Sequence, residues 1–195
     1  SVKLQKANIE TRYKSLSAQL NPHFLFNSLN VLMLQLDDND KAKNYVDALS
    51  DFLRYTLRTD NKEAILLRDE LENARKYAFL IKSRFGEGVK FNFDITEKYY
   101  HYSLPPLSLQ ILLENVIKHN YLSSKNGLEI DIYIEGKEPY ICVKHEYRPV
   151  DTQSSSGTGL KNLKERYSYL TGREVIIQNN EKHYLVKLPL LLIEY

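Results

Sequence analysis

Apolar residues recur at helical spacing through the first 85 residues, and turn signals are almost absent from this stretch. One stripe, with steps of four, three and four, is formed by Leu25, Leu29, Leu32 and Leu36. The polar run at 37–40 interrupts the pattern, and the stripe returns at Val46, Leu49, Leu53 and Leu57. These segments predict two long helices that fold back on each other as an antiparallel hairpin.

The predicted hairpin has more apolar surface than one pair of helices can cover. Two hairpins from two chains would bury both stripes in a four-helix bundle. The pattern therefore predicts a homodimer, held together by this helical region.

A third helical pattern is followed by a stretch in which most apolar residues have the spacing of strands. Its apolar positions are Leu71, Ala74, Ala78, Ile81 and Phe85, and Gly86 with Gly88 ends it. Alternating apolar and polar residues then predict strands at 90–96, 128–135 and 140–145, and two apolar runs predict further strands at 175–178 and 184–190. Helical spacing returns at 107–119 and 160–170. The second half is therefore predicted to be an α+β sandwich, in which helices cover one sheet.

The boundary between the two halves falls near residue 62 or near residue 86, depending on where the third helix belongs. We place it at 62, which gives a helical region over 1–62 and a sandwich domain over 63–195. The aromatic run 99–102 is interpreted as packing at a strand edge.

Composition excludes several classes of protein. Twenty-seven basic and 25 acidic residues among 195 give a net charge of +2, and no block of like charge predicts a nucleic-acid partner. Cys142 is the single cysteine, which excludes an internal disulfide and indicates a reducing compartment such as the cytosol. No apolar run is long enough to cross a membrane. The chain begins in a helical pattern without methionine, so we expect it to be part of a longer protein.

The segment 19–27 sets a proline and a histidine into a helical pattern. Pro22 removes one backbone hydrogen bond, at a cost of about 3 kcal/mol, and opens the turn beside His23. Gln19 and Asn27 lie four residues to either side of His23 and share its helix face. Either amide could bond one ring nitrogen and leave the other as a nucleophile. The alternative is a surface histidine beside a tolerated kink.

A second polar group interrupts the apolar helix at 107–119. Its members, which lie close enough to share one face, are Glu114, Asn115, Lys118 and His119. An oxygen ligand for magnesium, a carboxylate base and a cation for phosphate are what phosphoryl transfer requires of a protein. A solvated helix face with a Glu114–Lys118 pair is the simpler alternative.

The third segment is a small polar loop at 154–162 that leads into a helix. Gly157 and Gly159 allow close approach of the backbone to a ligand, and the start of the helix offers free amides to phosphate. The loop lacks the Gly-Lys-Ser/Thr sequence of a P-loop. An ordinary flexible loop with a helix cap would look the same.

The three segments together resemble the LytS/YehU type of sensor histidine kinase, from residue 16 to residue 190. The most specific match is LSAQLNPHFLFNSLN at 16–30, because proline before the histidine separates this type from other kinases. Further matching segments lie at 51–55, 84–85, 105–106 and 114–119.

The resemblance implies a dimerisation and phosphoacceptor region followed by an ATP-binding domain of the GHKL (Bergerat) type, with a mixed sheet. His23 would accept phosphate, assisted by Asn27, and Glu114 would act as base or orient the imidazole. Asn115 would hold Mg²⁺, and Lys118 and His119 would face phosphate oxygens. The mobile lid over the nucleotide would include Gly157, Gly159, Leu160 and Asn162.

The resemblance also implies partners and a location. Phosphate would pass from the histidine to an aspartate of a response regulator, which we expect to be of the LytTR type. The chain would be the cytoplasmic portion of a bacterial inner-membrane sensor, attached through segments outside this sequence.

One position departs from the family pattern. Where the family has Asp-x-Gly, whose carboxylate accepts a hydrogen bond from the adenine amino group, this chain has His145 and Tyr147. A neutral histidine can accept one hydrogen bond, but it differs in shape and reach. Glu146 could replace it only if the strand register shifted by one residue, which would turn its side chain to the opposite face.

Three hypotheses follow for function. The first is an active histidine kinase core that uses ATP and Mg²⁺. The second is a dimeric signalling scaffold of kinase ancestry, whose altered adenine pocket no longer turns over ATP. The third, a GHKL-type ATPase or serine kinase, would leave the segment around His23 without a purpose.

Overall fold

The computed structural model describes residues 27, 28, 31, 32, 34, 39–59, 62–149 and 158–193. The chain divides into two compact units, one ending at Asn61 and one beginning at Lys62. In the first unit, residues 27, 28, 31, 32 and 34 are helical, and helix α1 spans Asn39–Thr59. Helix α1 thus begins inside the polar run that was predicted to be a turn.

The buried face of helix α1 differs from the predicted stripe. Its buried residues follow steps of three and four and are Ala42, Tyr45, Leu49, Phe52, Thr56 and Thr59. Of the predicted stripe only Leu49 is buried, whereas Val46 is 39% exposed and Leu57 is 52% exposed. The helix carries two adjacent apolar stripes, and periodicity alone does not tell which of them faces its own chain.

The second unit combines helices with strands. In chain order its elements are β1 (Ile65–Leu66), α2 (Leu67–Phe85), β2 (Val89–Asp94), β3 (Ser103–Leu104), α3 (Ser108–His119), β4 (Leu128–Glu135), β5 (Tyr140–Glu146), α4 (Thr158–Leu170), β6 (Ile176–Asn179) and β7 (His183–Pro189). Gly86 has a φ of 55° at the end of α2, a conformation that favours glycine, which explains why the helix stops there.

The main sheet has five strands in the order β2-β4-β5-β7-β6. Strands β2 and β4 are parallel, and the other neighbouring pairs are antiparallel, so the sheet is mixed. In the register of its centre, His145 of β5 lies opposite Ile130 of β4 on one side and Tyr184 of β7 on the other.

Helices cover one face of this sheet. Helix α2 contacts β2, and helix α3 contacts α2, β5 and α4. Alternate residues of β4 are buried, among them Ile130 and Ile132, whereas Glu129 between the strand's buried positions is exposed. This alternation is typical of a sheet with one packed face and one face open to solvent. The predicted α+β class, with a mixed sheet covered by helices, is confirmed.

Two short features were not predicted from the sequence. Strands β1 and β3 form a separate antiparallel pair. The interpretation of residues 99–102 as a strand edge was wrong, because a 3₁₀ turn at Glu97–Tyr99 and the turn after it occupy this stretch. The backbone amide of Leu67 donates to the carbonyl of Tyr102 at 2.7 Å, so this turn is held against the start of α2.

Candidate functional site: a cavity between helix α3 and strands β5 and β7

A cavity of about 300 Å³ lies within the second unit. It is lined by Leu112, Asn115, Val116, His119, Asn120, Val143, His145, Tyr147, Pro149, Leu160, Tyr184 and Val186. Helix α3 forms one wall, β5 and β7 form another, and Leu160 comes from α4. A mostly apolar lining with a few polar groups is typical of small-molecule sites.

Helix α3 carries four of the predicted site residues, and the cavity separates them into two pairs. Asn115 and His119 line it together with Leu112 and Val116, since all four lie on one helix face. Glu114 and Lys118 are absent from the lining, and Lys118 is exposed.

Glu114 lies on a different side of helix α3. Its carboxylate accepts a hydrogen bond of 2.8 Å from the side-chain amide of Gln110, one turn earlier. Burial raises the pKa of Glu114, and Gln110 and Lys118 offset part of that rise. Burial is the main cause of the raised pKa of Tyr77 in α2, and the charge of Glu114 raises this pKa further. The Glu114 carboxylate therefore lies near helix α2.

His119 is half-buried at the last turn of helix α3. Burial lowers its pKa, and the positive charge of Lys118 lowers it further. The ring is therefore mainly neutral at neutral pH, and it meets the cavity as a hydrogen-bonding group.

The start of helix α3 is held by a residue that the sequence analysis missed. Glu70 of α2 is completely buried, and its two carboxylate oxygens accept hydrogen bonds from the backbone amides of Leu107 and Leu109 at 3.2 and 2.8 Å. Leu107 has a φ of 63°, an uncommon conformation for leucine. A carboxylate is the favoured partner for the free amides and positive dipole end of a helix start.

The other end of helix α3 is tied to the chain that follows β5. The side-chain amide of Asn120 donates to the carbonyl of Val116 at 2.9 Å, and its oxygen accepts from the backbone amide of Arg148 at 2.8 Å. The amide of Tyr121 donates back to the carbonyl of Arg148, also at 2.8 Å. Asn120 is 5% exposed and lines the cavity. Its hydrogen bonds therefore hold the edge of the cavity at which helix α3 ends.

His145 lies in the β5 wall and is 4% exposed. Its Nδ1 atom is 2.7 Å from the carbonyl oxygen of Glu146. Burial lowers the pKa of His145, and nearby His183 lowers it further, although the bond to Glu146 acts in the opposite direction. The ring centre of Tyr184 is 5.6 Å from that of His145, and Tyr147 stacks on Tyr184 at 6.2 Å.

The glycine segment is described from Thr158 onward, so Gly157 lies outside the described residues. Gly159 packs against α3, where a Cβ added to it would lie 3.3 Å from Cγ2 of Ile111. Leu160 lines the cavity, whereas Asn162 is exposed and does not.

The predicted phosphoacceptor, His23, lies outside the described residues. Asn27 is helical and half-buried. Among the described parts of the chain, no group of three or more histidine, cysteine, aspartate or glutamate side chains could hold a metal ion. No helix in those parts is long and apolar enough to cross a membrane.

The chain is similar in sequence to known histidine kinases. Residues 11–89 match the histidine kinase family. The sensor protein LytS of Enterococcus faecalis is 31% identical over 202 residues, and the sensor histidine kinase/phosphatase LytS of Staphylococcus aureus (strain MRSA252) is 33% identical over 187 residues. The chain is a relative of the LytS-type histidine kinases.

The alignments with LytS cover 93% and 87% of this chain but 34% and 32% of those proteins. The chain thus spans about a third of the length of the curated relatives it matches. Among solved structures, the catalytic domain of histidine kinase ThkA matches with 14% sequence identity and a TM-score of 0.45. The match covers 65% of this chain and 94% of the ThkA chain. The sequence identity with the LytS proteins confirms the resemblance to LytS-type kinases that was predicted from the sequence.

Proposed function

We propose that the chain is the kinase core of a sensor histidine kinase of the LytS type. It would phosphorylate His23 with ATP and pass the phosphate to an aspartate of a response regulator. The observation that carries the proposal is the cavity, which collects Asn115, His119, His145 and Leu160 from three separate predicted segments. The family match over residues 11–89 includes His23, which supports His23 as the proposed acceptor.

The cavity fits a nucleotide of the proposed kind. Its volume of about 300 Å³ lies at the lower end of the range for small-molecule pockets. The β5 and β7 wall, with Val143, Val186 and the ring of Tyr184, offers an apolar surface for a base. Asn115 and His119 on the opposite helix offer polar atoms toward phosphates. A GHKL-type domain would bind ATP in this way.

Asn115 is the residue proposed to hold magnesium. Its side-chain amide oxygen is a ligand that Mg²⁺ accepts, and the ion commonly takes its remaining ligands from substrate phosphates and water. His119 and Lys118 would then face phosphate oxygens, the first from the cavity and the second from its exposed margin.

The proposed reaction forms one bond and breaks one bond. A ring nitrogen of His23 attacks the γ-phosphorus of ATP, the bond to the bridging oxygen breaks, and ADP leaves with the electron pair. The proton of the attacking imidazole passes to a base. Glu114 is the proposed base or orienting group, and burial raises its pKa, which makes its carboxylate a stronger proton acceptor.

The proposed dimer would form through exposed apolar residues of helix α1. Val46 and Leu57 are exposed in the single chain, and both belong to the stripe that a second helical hairpin would cover. We further propose a response regulator of the LytTR type as the partner, and attachment to the inner membrane through segments outside this sequence.

The test is incubation of the purified dimer with γ-labelled ATP and Mg²⁺, beside the variant His23→Ala. We expect label that is lost in acid but survives base, as phosphoramidates do, and no label in His23→Ala. Asn27→Ala is expected to label more slowly, because it shares the helix face of His23. Label that persists in His23→Ala would contradict the proposed acceptor.

A complete lack of label from a folded dimer at millimolar ATP would support the other hypothesis, a scaffold of kinase ancestry. Calorimetry with Mg²⁺ and ATP then distinguishes two reasons for the missing label. Binding without label would mean that transfer is lost, and lack of binding would mean that the adenine pocket itself has failed.

A further inference from the structure

Helices α2 and α3 run side by side in the same direction. Near the start of α2, the carboxylate of Glu70 binds the backbone amide of Leu107, which precedes α3. Seven residues later on each side, Tyr77 of α2 lies close enough to Glu114 of α3 for the carboxylate to raise the pKa of the phenol. Because the two contacts are separated by equal steps on both helices, the residues between them face each other.

Two buried amide side chains occupy this stretch between the helices. Asn73 of α2 is 2% exposed and Gln110 of α3 is 5% exposed, and each lies three residues after the first contact. On another flank of α2, Arg75 lies over the ring of Phe93 in β2, 5.3 Å from its centre. Asn73 is about 200° around the helix from Arg75, so it belongs to the flank of α2 that meets α3.

The polar atoms of the two amides complement each other. Nε2 of Gln110 donates to the carboxylate of Glu114 at 2.8 Å. Within the described part of the chain, Oε1 of Gln110 has no hydrogen-bond partner, and neither polar atom of Asn73 has one. Buried amide groups are costly to leave unpaired, which favours a bond from Nδ2 of Asn73 to Oε1 of Gln110. That bond would also decide which end of the Gln110 amide meets Glu114, because an amide can turn over.

We propose that Gln110, itself oriented by Asn73, is a positioning residue that holds the Glu114 carboxylate ready to accept the proton of the attacking imidazole. This inference rests on the proposed function, which makes Glu114 the base. Gln110 does not line the cavity, and its amide takes no proton, so it acts on the reaction through Glu114. An N–H donor also stabilises the ionised carboxylate, which is the form that a base requires.

The experiment measures two quantities on the purified chain: the rate of labelling of His23 at saturating γ-labelled ATP with Mg²⁺, and the affinity for Mg²⁺-ATP by calorimetry. Gln110→Met keeps the length of the side chain but removes its donor and its acceptor. We expect this variant to label about tenfold more slowly and to bind Mg²⁺-ATP within about twofold of the parent chain. Asn73→Leu leaves the Gln110 amide in place without its orienting partner, and should label about threefold more slowly.

A second substitution, Glu114→Gln, separates positioning from packing. Alone it should slow labelling about a hundredfold or more, as the loss of a general base does. Adding Gln110→Met to Glu114→Gln should slow labelling by less than about a further twofold, because the residue acts only through the carboxylate. A residue that merely packs the two helices together would cost about tenfold in both backgrounds.

The matched control is an amide that donates to a carboxylate elsewhere in the domain. Asn92 of β2 donates to Asp131 of β4 at 2.8 Å, and Asn92→Leu should label at the parent rate. If Gln110→Met fails to fold, Asn73→Leu takes its place in the combination with Glu114→Gln.

The possible results distinguish this inference from the proposed function. A folded parent chain that gives no label would overturn both. Label from the parent chain, together with an unchanged rate in Gln110→Met or in Glu114→Gln, would overturn the positioning role and leave the kinase reaction standing. Losses that multiply in the double variant would overturn it in the same way.

Discussion

The two ends of helix α3 are held in different ways. At its start, the buried carboxylate of Glu70 reaches from α2 and takes two backbone amides directly. At its end, the neutral amide of Asn120 links the helix to the chain after β5, and the cavity opens beside this link. The comparison shows that the start of the helix is anchored by a buried carboxylate that does not line the cavity, whereas its end is anchored by an amide that does.

The largest effect is expected at the start of helix α3. Glu70→Ala would leave two buried amides without an acceptor, and we expect it to destabilise the protein by about 3 kcal/mol. Urea denaturation of the chain measures this loss. Glu70→Gln, which keeps an acceptor oxygen for one amide, is the matched control and should lose less. Equal losses for the two variants would mean that packing, and not the hydrogen bonds, holds this end.

A smaller loss of stability and a larger change in binding are expected at the end of helix α3. Asn120→Ala removes one donor and one acceptor, which we expect to cost about 1 to 2 kcal/mol. It should also weaken binding of Mg²⁺-ATP, because the edge of the cavity at which helix α3 ends is no longer held by these hydrogen bonds. Glu70→Gln provides the comparison. If it weakened nucleotide binding as much as Asn120→Ala does, the distinction between the two ends would fail.

The smallest expected effect lies on the side of helix α3 away from the cavity. The folded state raises the pKa of Glu114, so between its unfolded and folded values the folded protein binds more protons than the unfolded one. Stability therefore falls as pH rises through that range. Glu114→Gln should remove this fall and make the protein slightly more stable at pH 7 than the parent chain.

This gain should disappear at low pH, below the usual pKa of glutamate, where both states are protonated. Denaturation curves at pH 4 and pH 7 measure the difference. Labelling of His23 by ATP should fall in the same variant if Glu114 acts as base. A variant that labels at the parent rate would leave Glu114 with a structural role alone.

Periodicity located most of the secondary structure. Strand β4 was predicted with its observed bounds, and α2, α3 and α4 were predicted within a few residues. Strands β1 and β3, with two residues each, were missed because a segment that short has no period. The buried stripe of α1 was misplaced because two apolar stripes lie side by side on that helix.

The candidate site was only partly predictable. Asn115, His119, His145 and Leu160 were expected to bind the nucleotide, and the fold brings all four to one cavity. Glu70 gave no signal, because a glutamate in the first turn of a predicted helix normally faces water. Asn120 and Tyr184 were also missed, since an amide after a helix and a tyrosine in a strand are common in any domain.

The sequence by itself determined the order of the helices and of the five strands in the main sheet, the motif around His23 and the resemblance to LytS-type kinases, because spacing and residue type are local properties. Only the tertiary structure decided that Asn115 and His119 line the cavity while Glu114 and Lys118 do not. It alone decided that Glu70 is buried against a helix start, and that His145 donates through Nδ1. Burial and hydrogen-bond partners come from distant segments, and the order of residues along the chain does not specify them.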